Sequence, residues 1–253
     1  MHVVTLITDF GTQDYYAAEL KGCLLSASPG ISIVDVSHSI ESYDIVQASF
    51  FLSSVYSKFP PGTIHIISVF NYYDEDVEHI AIEREGYYFI APNNGVLSLL
   101  FEDIKEEETH KIDFKNGHIA SRMGHAVGLI THGLPLSEMG PHPAEVTRKM
   151  GIQPVITSSQ IRATIIHIDH YENVVVNLTK ELFEKIGNGR PFSLYYKQTE
   201  PITKISKNYG DAPVGETLCL FNSAEYLEIA VNMGKASSMF NLNKDETIQI
   251  NFH

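Results

Sequence analysis

The segment TDFGTQDYY carries two carboxylates and a glycine directly after the first apolar run of the chain, VVTLIT. If that run is a parallel strand, Asp9 follows its carboxyl end, where α/β folds bind ligands. An ionised carboxylate offers only hydrogen-bond acceptors, so Asp9 suits the two hydroxyls of a ribose, and Gly11 permits a tight turn. The alternative is that Asp9 or Asp14 caps the following helix. The spacing favours a ligand role for Asp9 and leaves Asp14 open.

Three further segments place polar side chains at predicted turns. APNNGVLS holds Asn93 and Asn94 between a strand and a helix, where an asparagine either caps the helix or presents its amide to a ligand. DHYENVVVN places Asp169 and Asn173 around a hairpin, and NSAEYLEIAV places Ser223 before an alternating strand. Taken singly, each segment is also consistent with an ordinary turn.

The histidines and cysteines show no metal-binding pattern. His118, His125 and His132 are spaced by seven, and the last two would share one helical face. No cysteine lies nearby and no H-E-x-x-H occurs, so we expect surface or core histidines and no metal. The chain also lacks G-x-S-x-G, Walker and G-x-G-x-x-G motifs. Cys23 and Cys219 lie in apolar stretches typical of buried thiols, and a disulfide between them stays open.

The elements that must position these residues change character along the chain. Up to about residue 140, strand-like and helix-like runs alternate, which indicates βαβ units and a mainly parallel sheet. Strands are predicted at 3–8, 31–37, 63–70, 79–84 and 87–91, and helices at 15–26, 43–58, 95–103 and 121–133. After MGPHPAEVT, strand patterns dominate and only 180–187 indicates a helix. We predict an α/β protein with an N-terminal α/β domain with a mainly parallel sheet over 1–140, a linker over 141–157, and an all-β, barrel-like domain over 158–253.

Composition limits the partners. The chain has 18 basic and 31 acidic residues, a formal net charge of −13, which repels phosphate backbones and disfavours nucleic acid. No apolar run approaches the ~20 residues of a membrane span, so no membrane partner is expected. The N-terminal HVVTLIT lacks the basic start of a signal peptide and is typical of a strand. We therefore expect a cytoplasmic protein with a small-molecule partner.

Six segments occur in an order that runs almost from end to end of the chain: TDFGTQDYYAAELKG, IVDVSHSIESYDIVQASFFL, PPGTIHI, FIAPNNGVLS, IHIDHYENVVVNL and NSAEYLEIAVNMGKA. This series resembles the S-adenosylmethionine hydroxide adenosyltransferase family, which also contains the 5′-fluoro- and 5′-chloro-adenosine synthases. The resemblance implies an N-terminal α/β domain, a C-terminal barrel-like domain and a homotrimer. It implies that S-adenosylmethionine binds between the N-terminal domain of one subunit and the C-terminal domain of the next.

The reaction implied is in-line substitution at the ribose 5′ carbon. Water or halide attacks, and methionine leaves as a neutral thioether, so hydrolysis gives adenosine and methionine. Because the sulfonium is already activated, the resemblance implies no cofactor. It assigns roles in the N-terminal half to Asp9 at the ribose diol, Tyr43 packed on the ribose and Asn94 near the site. In the C-terminal half it assigns Asp169 to the substrate amino group, Asn173 (in Y-E-N, where the family has F-G-N) to the adenine, and Ser223 to the methionine carboxylate.

The loop that activates water in the family differs in this chain. The hydrolases carry V-D-P-G-V-G-T and then an arginine, whereas this chain reads VFNYYDEDVEH over 69–79. Phe70 takes the water-orienting aspartate position, and the arginine position falls at Val77 or Glu78. Phe70 is closer to the halide-using branch, which has tyrosine there. The small neighbours of that branch are replaced here by two tyrosines and Asp74. From its position in the series, Phe70 is expected to line the substrate site.

Two more positions with a role in the family are a histidine and an arginine. The family histidine aligns with His118, with His125 as the rival, and the arginine that would meet the substrate carboxylate beside Ser223 is Ala224. Loss of that arginine removes a charge-assisted pair of typically ~1.5–3 kcal/mol. Three functions stay open: a divergent hydrolase, a protein that binds S-adenosylmethionine or adenosine without turnover, and an enzyme for another nucleoside or sulfonium. The hydrolase is the function predicted, with His118 and Asp74 as catalytic residues and Asp76 and His79 as further candidates.

Overall fold

The computed structural model describes residues 2–71, 78–114, 117–143 and 145–253. The chain divides into two compact units, Met1–Gly151 and Ile152–His253. The division falls inside the stretch 141–157 that the sequence predicts as a linker. Part of that stretch packs on the first unit, because the Thr147 and Lys149 amides donate to Asn93 Oδ1 and Ser98 Oγ, at 2.9 and 2.8 Å.

The first unit is built on a six-stranded sheet of order β2-β1-β3-β5-β4-β6. Strands β2, β1, β3 and β5 are parallel, and β4 runs antiparallel to β5 and β6. The mainly parallel α/β domain predicted from the sequence is confirmed. Its elements are β1 (Val3–Thr8), α1 (Tyr16–Ala27), β2 (Ser32–Ser37), α2 (Ile45–Val55), β3 (Ile64–Ser68), β4 (His79–Arg84), β5 (Tyr87–Pro92), α3 (Val96–Leu100), β6 (Thr109–Lys111) and α4 (Ile119–Thr131).

Helices cover both faces of this sheet, which is why β1 and β3 read as continuous apolar runs. Alternate side chains of a strand point to opposite faces, and β3 shows this directly. Ile64 and Ile66 pack in one cluster with Leu24 of α1, whereas Ile67 packs in the other with Leu52 of α2. The two apolar layers hold the loops at the strand ends in place.

The strand order creates a switch point between β1 and β3. The chain passes from β1 to its neighbour β2 on one side and then returns to β3 on the other. Ligands of open α/β sheets bind outside the carboxyl ends of the strands where the order reverses in this way. The loops after Thr8 and Ser68 therefore form the expected crevice.

The second unit is an antiparallel sheet of order β10-β13-β8-β9-β12-β11, with β7 paired to β8. Its elements are β7 (Val155–Ile156), β8 (Gln160–Ile168), β9 (Val174–Thr179), α5 (Lys180–Gly187), β10 (Phe192–Tyr195), β11 (Thr217–Phe221), β12 (Tyr226–Val231), α6 (Ala236–Phe240) and β13 (Thr247–Phe252). Strand β8 pairs with β13 over 160–164 and with β9 over 165–168, so the sheet curls as a half-barrel. The barrel-like β domain is confirmed.

The expectation of a single helix in this half is wrong, because α6 is a second one. Its sequence, ASSMF, holds little more than one helical turn and has no apolar face that would indicate a helix. Strands β7 and β6 were not predicted either, because two or three residues are too few to show the alternation of a strand. Within the described ranges, no helix combines the length and the apolar character needed to cross a membrane.

Candidate functional site

Asp9 joins three loops at the carboxyl edge of the parallel sheet. Its Oδ2 accepts hydrogen bonds from the backbone N–H groups of Tyr43 and Phe70, both at 3.1 Å. Within the described part of the chain, Asp9 Oδ1 has no hydrogen-bond partner. One carboxylate oxygen therefore braces the site, and the other is left to accept hydrogen bonds from a ligand. Helix α1 begins after Tyr15 with no side-chain cap, so neither Asp9 nor Asp14 caps it.

The two residues that Asp9 holds have unusual backbone conformations. Tyr43 and Phe70 have φ values of 71° and 54°, in the left-handed region that favours glycine. Their rings meet edge to face with centroids 5.4 Å apart, and Tyr43 is 62% exposed. The left-handed turns thus place two aromatic rings beside the carboxylate. They form an apolar wall suited to packing against a sugar or a base.

Asn94 supports the crevice from behind. It is 4% exposed, and its Nδ2 donates to the carbonyl oxygens of Val69 and Phe70, at 3.0 and 3.3 Å. Its Oδ1 accepts from the Val96 amide at 3.1 Å, which closes a local turn before α3. The structure places Asn94 against the Phe70 turn and shows its amide hydrogen-bonded to the backbone. Its role is therefore to shape the turn.

His118 lies at the same edge of the sheet as Asp9. A Cβ atom on Gly124 would meet the Cys23 carbonyl oxygen at 3.0 Å, and one on Gly128 would meet that of Ala27 at 3.6 Å. Helices α1 and α4 therefore run parallel and close together, and both begin at the carboxyl edge of β1. His118 is the residue that immediately precedes α4, and its exposed side chain does not cap the helix.

The other two histidines of this series make local contacts. The His125 ring stacks on Phe114, with centroids 4.9 Å apart. His132 Nδ1 lies 2.7 Å from the Gly128 carbonyl oxygen. Of the two rivals for the family histidine, His118 is therefore the one whose imidazole is open to solvent. Among the described residues, no group of three or more His, Cys, Asp or Glu side chains is arranged to hold a metal ion.

The loop after β3 is described only at its two ends. Asp74 and Asp76, offered above as catalytic candidates, lie outside the described residues. At the near end, Asn71 Nδ2 donates to Ser68 Oγ at 2.9 Å. Asn71 Oδ1 lies 3.3 Å from Nε2 of His79, a third candidate, which is buried at the start of β4.

In the second unit, Asp169 and Asn173 form one hydrogen-bonded turn between β8 and β9. Asp169 Oδ1 accepts from the amides of Tyr171 and Asn173, at 2.9 and 2.8 Å, and Oδ2 accepts from Asn173 Nδ2 at 3.1 Å. Asn173 is buried, and its Oδ1 has no partner among the described residues. That oxygen is able to accept a hydrogen bond from an exocyclic amine such as that of adenine.

Glu172 stands at the position where the family has glycine, and the structure shows how this chain accommodates it. Its φ is 62°, again in the left-handed region. Its carboxylate accepts from Lys235 Nζ at 2.7 Å and from the Ser238 amide at 3.1 Å, and it also contacts the Ser238 hydroxyl. These bonds hold the start of α6 against the turn, and they lower the pKa of Glu172.

A shallow cavity of about 780 Å³ lies beside this turn. Its lining is mostly apolar or aromatic at the open side, where Tyr171 and Met233 are 72% and 87% exposed. Because it is open to solvent and mixes apolar with polar side chains, it is a surface depression on which a small ligand could lie and not an enclosed pocket. The lining residues are His170, Tyr171, Met233, Gly234, Lys235, Ser238 and Met239.

A buried carboxyl group that was not predicted from the sequence, Glu228, lies on the face of β12 away from the main core. Glu228 is 3% exposed, and it accepts from Tyr209 Oη at 2.8 Å and from Asn222 Nδ2 at 3.3 Å. Burial raises the pKa of Glu228, and the nearby charge of Asp169 adds to the effect. Burial and Glu228 also raise the pKa of Tyr209. The signal in the sequence was the single acidic residue inside the apolar run LEIAV.

Glu228 acts on the turn that carries Ser223. Asn222, held by Glu228, accepts from the amides of Ala224 and Tyr226 through its Oδ1, at 3.0 and 3.2 Å. Ser223 is exposed at the tip of this turn. The position at which the resemblance expects an arginine therefore presents only the Ala224 methyl group beside Ser223.

Comparisons with known proteins support the same relationship. Residues 4–128 match the family model of the SAM hydroxide adenosyltransferase N-terminal domain, and residues 163–249 match that of the C-terminal domain. The chain belongs to the SAM hydroxide adenosyltransferase family. It is 27% identical to an (R)-S-adenosyl-L-methionine hydrolase of Methanocaldococcus jannaschii, covering 99% of this chain and 96% of the relative. It is 25% identical to a fluorinase of Actinoplanes sp., covering 98% and 97%.

Solved structures agree with this family fold. An uncharacterized conserved protein from Thermotoga maritima superposes with a TM-score of 0.86 at 25% identity, covering 99% of this chain and 100% of the other. A conserved hypothetical protein from Thermus thermophilus has a TM-score of 0.77 at 20% identity, with both chains fully covered, and shows the fold alone. The predicted SAM hydroxide adenosyltransferase resemblance is thus confirmed.

Proposed function

We propose that this chain binds S-adenosylmethionine and hydrolyses it to adenosine and methionine, using a water site that differs from that of its relatives. The observation that carries the proposal is that the two oxygens of the Asp9 carboxylate differ in their hydrogen bonds. Oδ2 is held by two backbone N–H groups, while Oδ1 has no partner in the described part of the chain. An acceptor in this position, at a switch point, matches the two donors of a ribose diol.

The remaining substrate groups have matching features in the second unit. Asn173 Oδ1 is an unpaired acceptor for the adenine amine beside the shallow cavity that Tyr171 and Met233 help to line. A carboxylate has about four lone-pair positions, so Asp169, with three hydrogen bonds, has one left for the substrate amino group. We extend the proposal to the homotrimer that the family resemblance implies, in which neighbouring subunits would cover the exposed side chains of Tyr43, Tyr171 and Met233.

The chemistry proposed is substitution at the 5′ carbon. A bond forms between the water oxygen and C5′, the C5′–S bond breaks, and its electron pair neutralises the sulfonium as methionine leaves. Holding the reacting atoms in line is worth roughly 7–11 kcal/mol. The rings of Tyr43 and Phe70 exclude other water from the site. The proton that the attacking water loses passes to a base, for which His118 at the same edge is the exposed candidate and Asp74 the alternative.

A second function, binding without turnover, is favoured by one observation. Phe70 donates its backbone N–H to Asp9 and packs its ring on Tyr43, so its side chain brings no acceptor to orient a water molecule. If neither His118 nor Asp74 replaces that acceptor, the site holds S-adenosylmethionine unchanged. A third function, action on another nucleoside or sulfonium, accords with Ala224 at the arginine position.

The test is made on the purified protein with S-adenosylmethionine in ¹⁸O-labelled water. Mass spectrometry of adenosine and methionine measures turnover, and calorimetry measures binding. Steady release of adenosine with ¹⁸O at its 5′ oxygen is the expected result. Binding without release establishes the second function, and absence of both overturns the proposal and directs the search to other nucleosides. His118→Ala then separates the two bases, since activity that survives it points to Asp74.

A further inference from the structure

A chain of polar side chains lies behind the Asp9 loop and has no part in the function proposed so far. Thr8 Oγ1 lies 2.8 Å from His38 Nδ1, and His38 Nε2 lies 3.1 Å from Asp35 Oδ1. Asp35 Oδ2 accepts from Lys21 Nζ at 2.6 Å. The chain links the end of β1, the end of β2 and helix α1. Burial alone would raise the pKa of the Asp35 carboxyl, but Lys21 and His38 together lower it.

The backbone of His38 is bonded to the same loop. Its carbonyl oxygen accepts from the Gly11 amide at 2.7 Å, and the Thr8 carbonyl oxygen accepts from the Ile40 amide at 3.3 Å. The loop Thr8–Gly11, which carries Asp9, is therefore bonded to the His38 side chain at one end and to the His38 backbone at the other.

The neighbours of His38 suggest a position for the ring hydrogen. We assign it to Nε2, which lies 3.1 Å from the Asp35 carboxylate, an acceptor only, although the two are not aligned as a hydrogen bond. In the neutral ring, Nδ1 then accepts from the Thr8 hydroxyl, whose oxygen in turn accepts from the Phe10 amide at 3.3 Å. Thr8 and His38 are both buried, so water does not replace these bonds. The His38 ring therefore reaches the residue before Asp9 directly and the amide of the residue after it through Thr8 Oγ1.

We propose that His38 is a positioning residue for ribose recognition. Its Nδ1, acting through Thr8 Oγ1, sets the conformation of the Thr8–Gly11 loop so that Asp9 Oδ1 faces the ribose hydroxyls. His38 itself touches no substrate. The inference rests on the proposed function, in which Asp9 accepts hydrogen bonds from the diol, and it adds the residue that aims the carboxylate.

Two substitutions separate the ring nitrogens. The amide of His38→Asn occupies the place of Nδ1 and leaves that of Nε2 empty, whereas the amide of His38→Gln reaches the place of Nε2 and not that of Nδ1. Calorimetry measures the dissociation constants of adenosine and 2′,3′-dideoxyadenosine for the wild type and both variants. The ratio of the two constants reports recognition of the diol. The melting temperature of each variant is measured as well, so that a general loss of stability can be told apart from a change in this ratio.

We expect the wild type to prefer adenosine at least tenfold, His38→Asn to keep most of that preference, and His38→Gln to lose it. Thr8→Val, which replaces the hydroxyl with a methyl group in a side chain of nearly the same shape, should lose it too. It decides the matter if His38→Gln does not fold. A folded Thr8→Val or His38→Gln protein that keeps the preference overturns the positioning role. A wild type without preference overturns the diol role of Asp9, and with it this inference, so the two failures are distinguishable.

Discussion

Asp9 offers the sharpest separation of stability from binding, because Oδ2 accepts two backbone hydrogen bonds and Oδ1 is the oxygen proposed to bind the ligand. Asp9→Ala removes both hydrogen bonds that Oδ2 accepts from Tyr43 and Phe70. Hydrogen bonds to charged groups contribute ≈ 1.5–3 kcal/mol each, and Asp9 is only partly buried, so the low end applies and the two together amount to about 3 kcal/mol. Two left-handed residues also lose the contact that holds them.

This loss should lower the melting temperature of the first unit by roughly 6–12 °C, since 1 kcal/mol shifts a domain of this size by about 2–4 °C. Asp9→Asn keeps a carbonyl oxygen able to accept both N–H groups, so its melting temperature should stay within about 3 °C of the wild type. In Asp9→Asn, however, an NH₂ group replaces the oxygen that faces the ligand. Adenosine affinity should then fall about 10–100-fold, the equivalent of one charged hydrogen bond or slightly more.

The assays are differential scanning calorimetry for stability and isothermal titration with adenosine for affinity. Asp14→Asn is the matched control, because it makes the same charge change in the same loop at an exposed residue that caps no helix. Equal loss of stability in Asp9→Ala and Asp9→Asn would refute the bracing role of Oδ2. Wild-type adenosine affinity in Asp9→Asn would refute the diol role of Oδ1.

Three further outcomes are expected. Burial lowers the pKa of His65 to about 4, whereas the ring in the unfolded chain titrates near 6.5. The free energy of unfolding should therefore fall by up to about 3 kcal/mol as the pH drops from about 6.5 to 4. Urea unfolding measures this pH dependence, and His65→Asn should flatten it. Glu172→Ala keeps the left-handed strain and loses the bonds to Lys235 and Ser238, so it should melt below Glu172→Gly, which relieves the strain. Because the pKa of Glu228 is raised in the folded protein, the wild type should lose stability relative to Glu228→Gln as the pH rises above the ordinary carboxyl pKa. Urea unfolding at a series of pH values measures this difference. The opposite pH dependence would contradict the raised pKa.

Local pattern in the sequence was sufficient for the elements and for the edge at which the site lies. Apolar periodicity located β1 and β3, and a carboxylate directly after a parallel strand has to stand at the carboxyl edge of the sheet. The same reasoning placed Asp169 and Asn173 on a hairpin turn, which the structure contains. It failed for three short elements, α6, β6 and β7, which are five, three and two residues long and show too little periodicity to be recognised.

What each polar group contacts was decided by the tertiary structure. The amides that Asp9 binds are 34 and 61 residues away in sequence, and they reach one oxygen only because β1 lies between β2 and β3. The same strand order brings His38 behind Thr8, and the antiparallel pairing of β11 with β12 brings Asn222 to Glu228.

The sequence by itself therefore determined the family, the two kinds of domain and the place of Asp9 at the carboxyl edge of the sheet, because these follow from residue order and local periodicity. Only the tertiary structure decided that Asn94 supports the Phe70 turn, that His38 stands behind Asp9, and that Glu228 is a buried acid. A hydrogen bond requires two atoms within about 3 Å, and chain folding brings such atoms together from distant positions that periodicity does not relate.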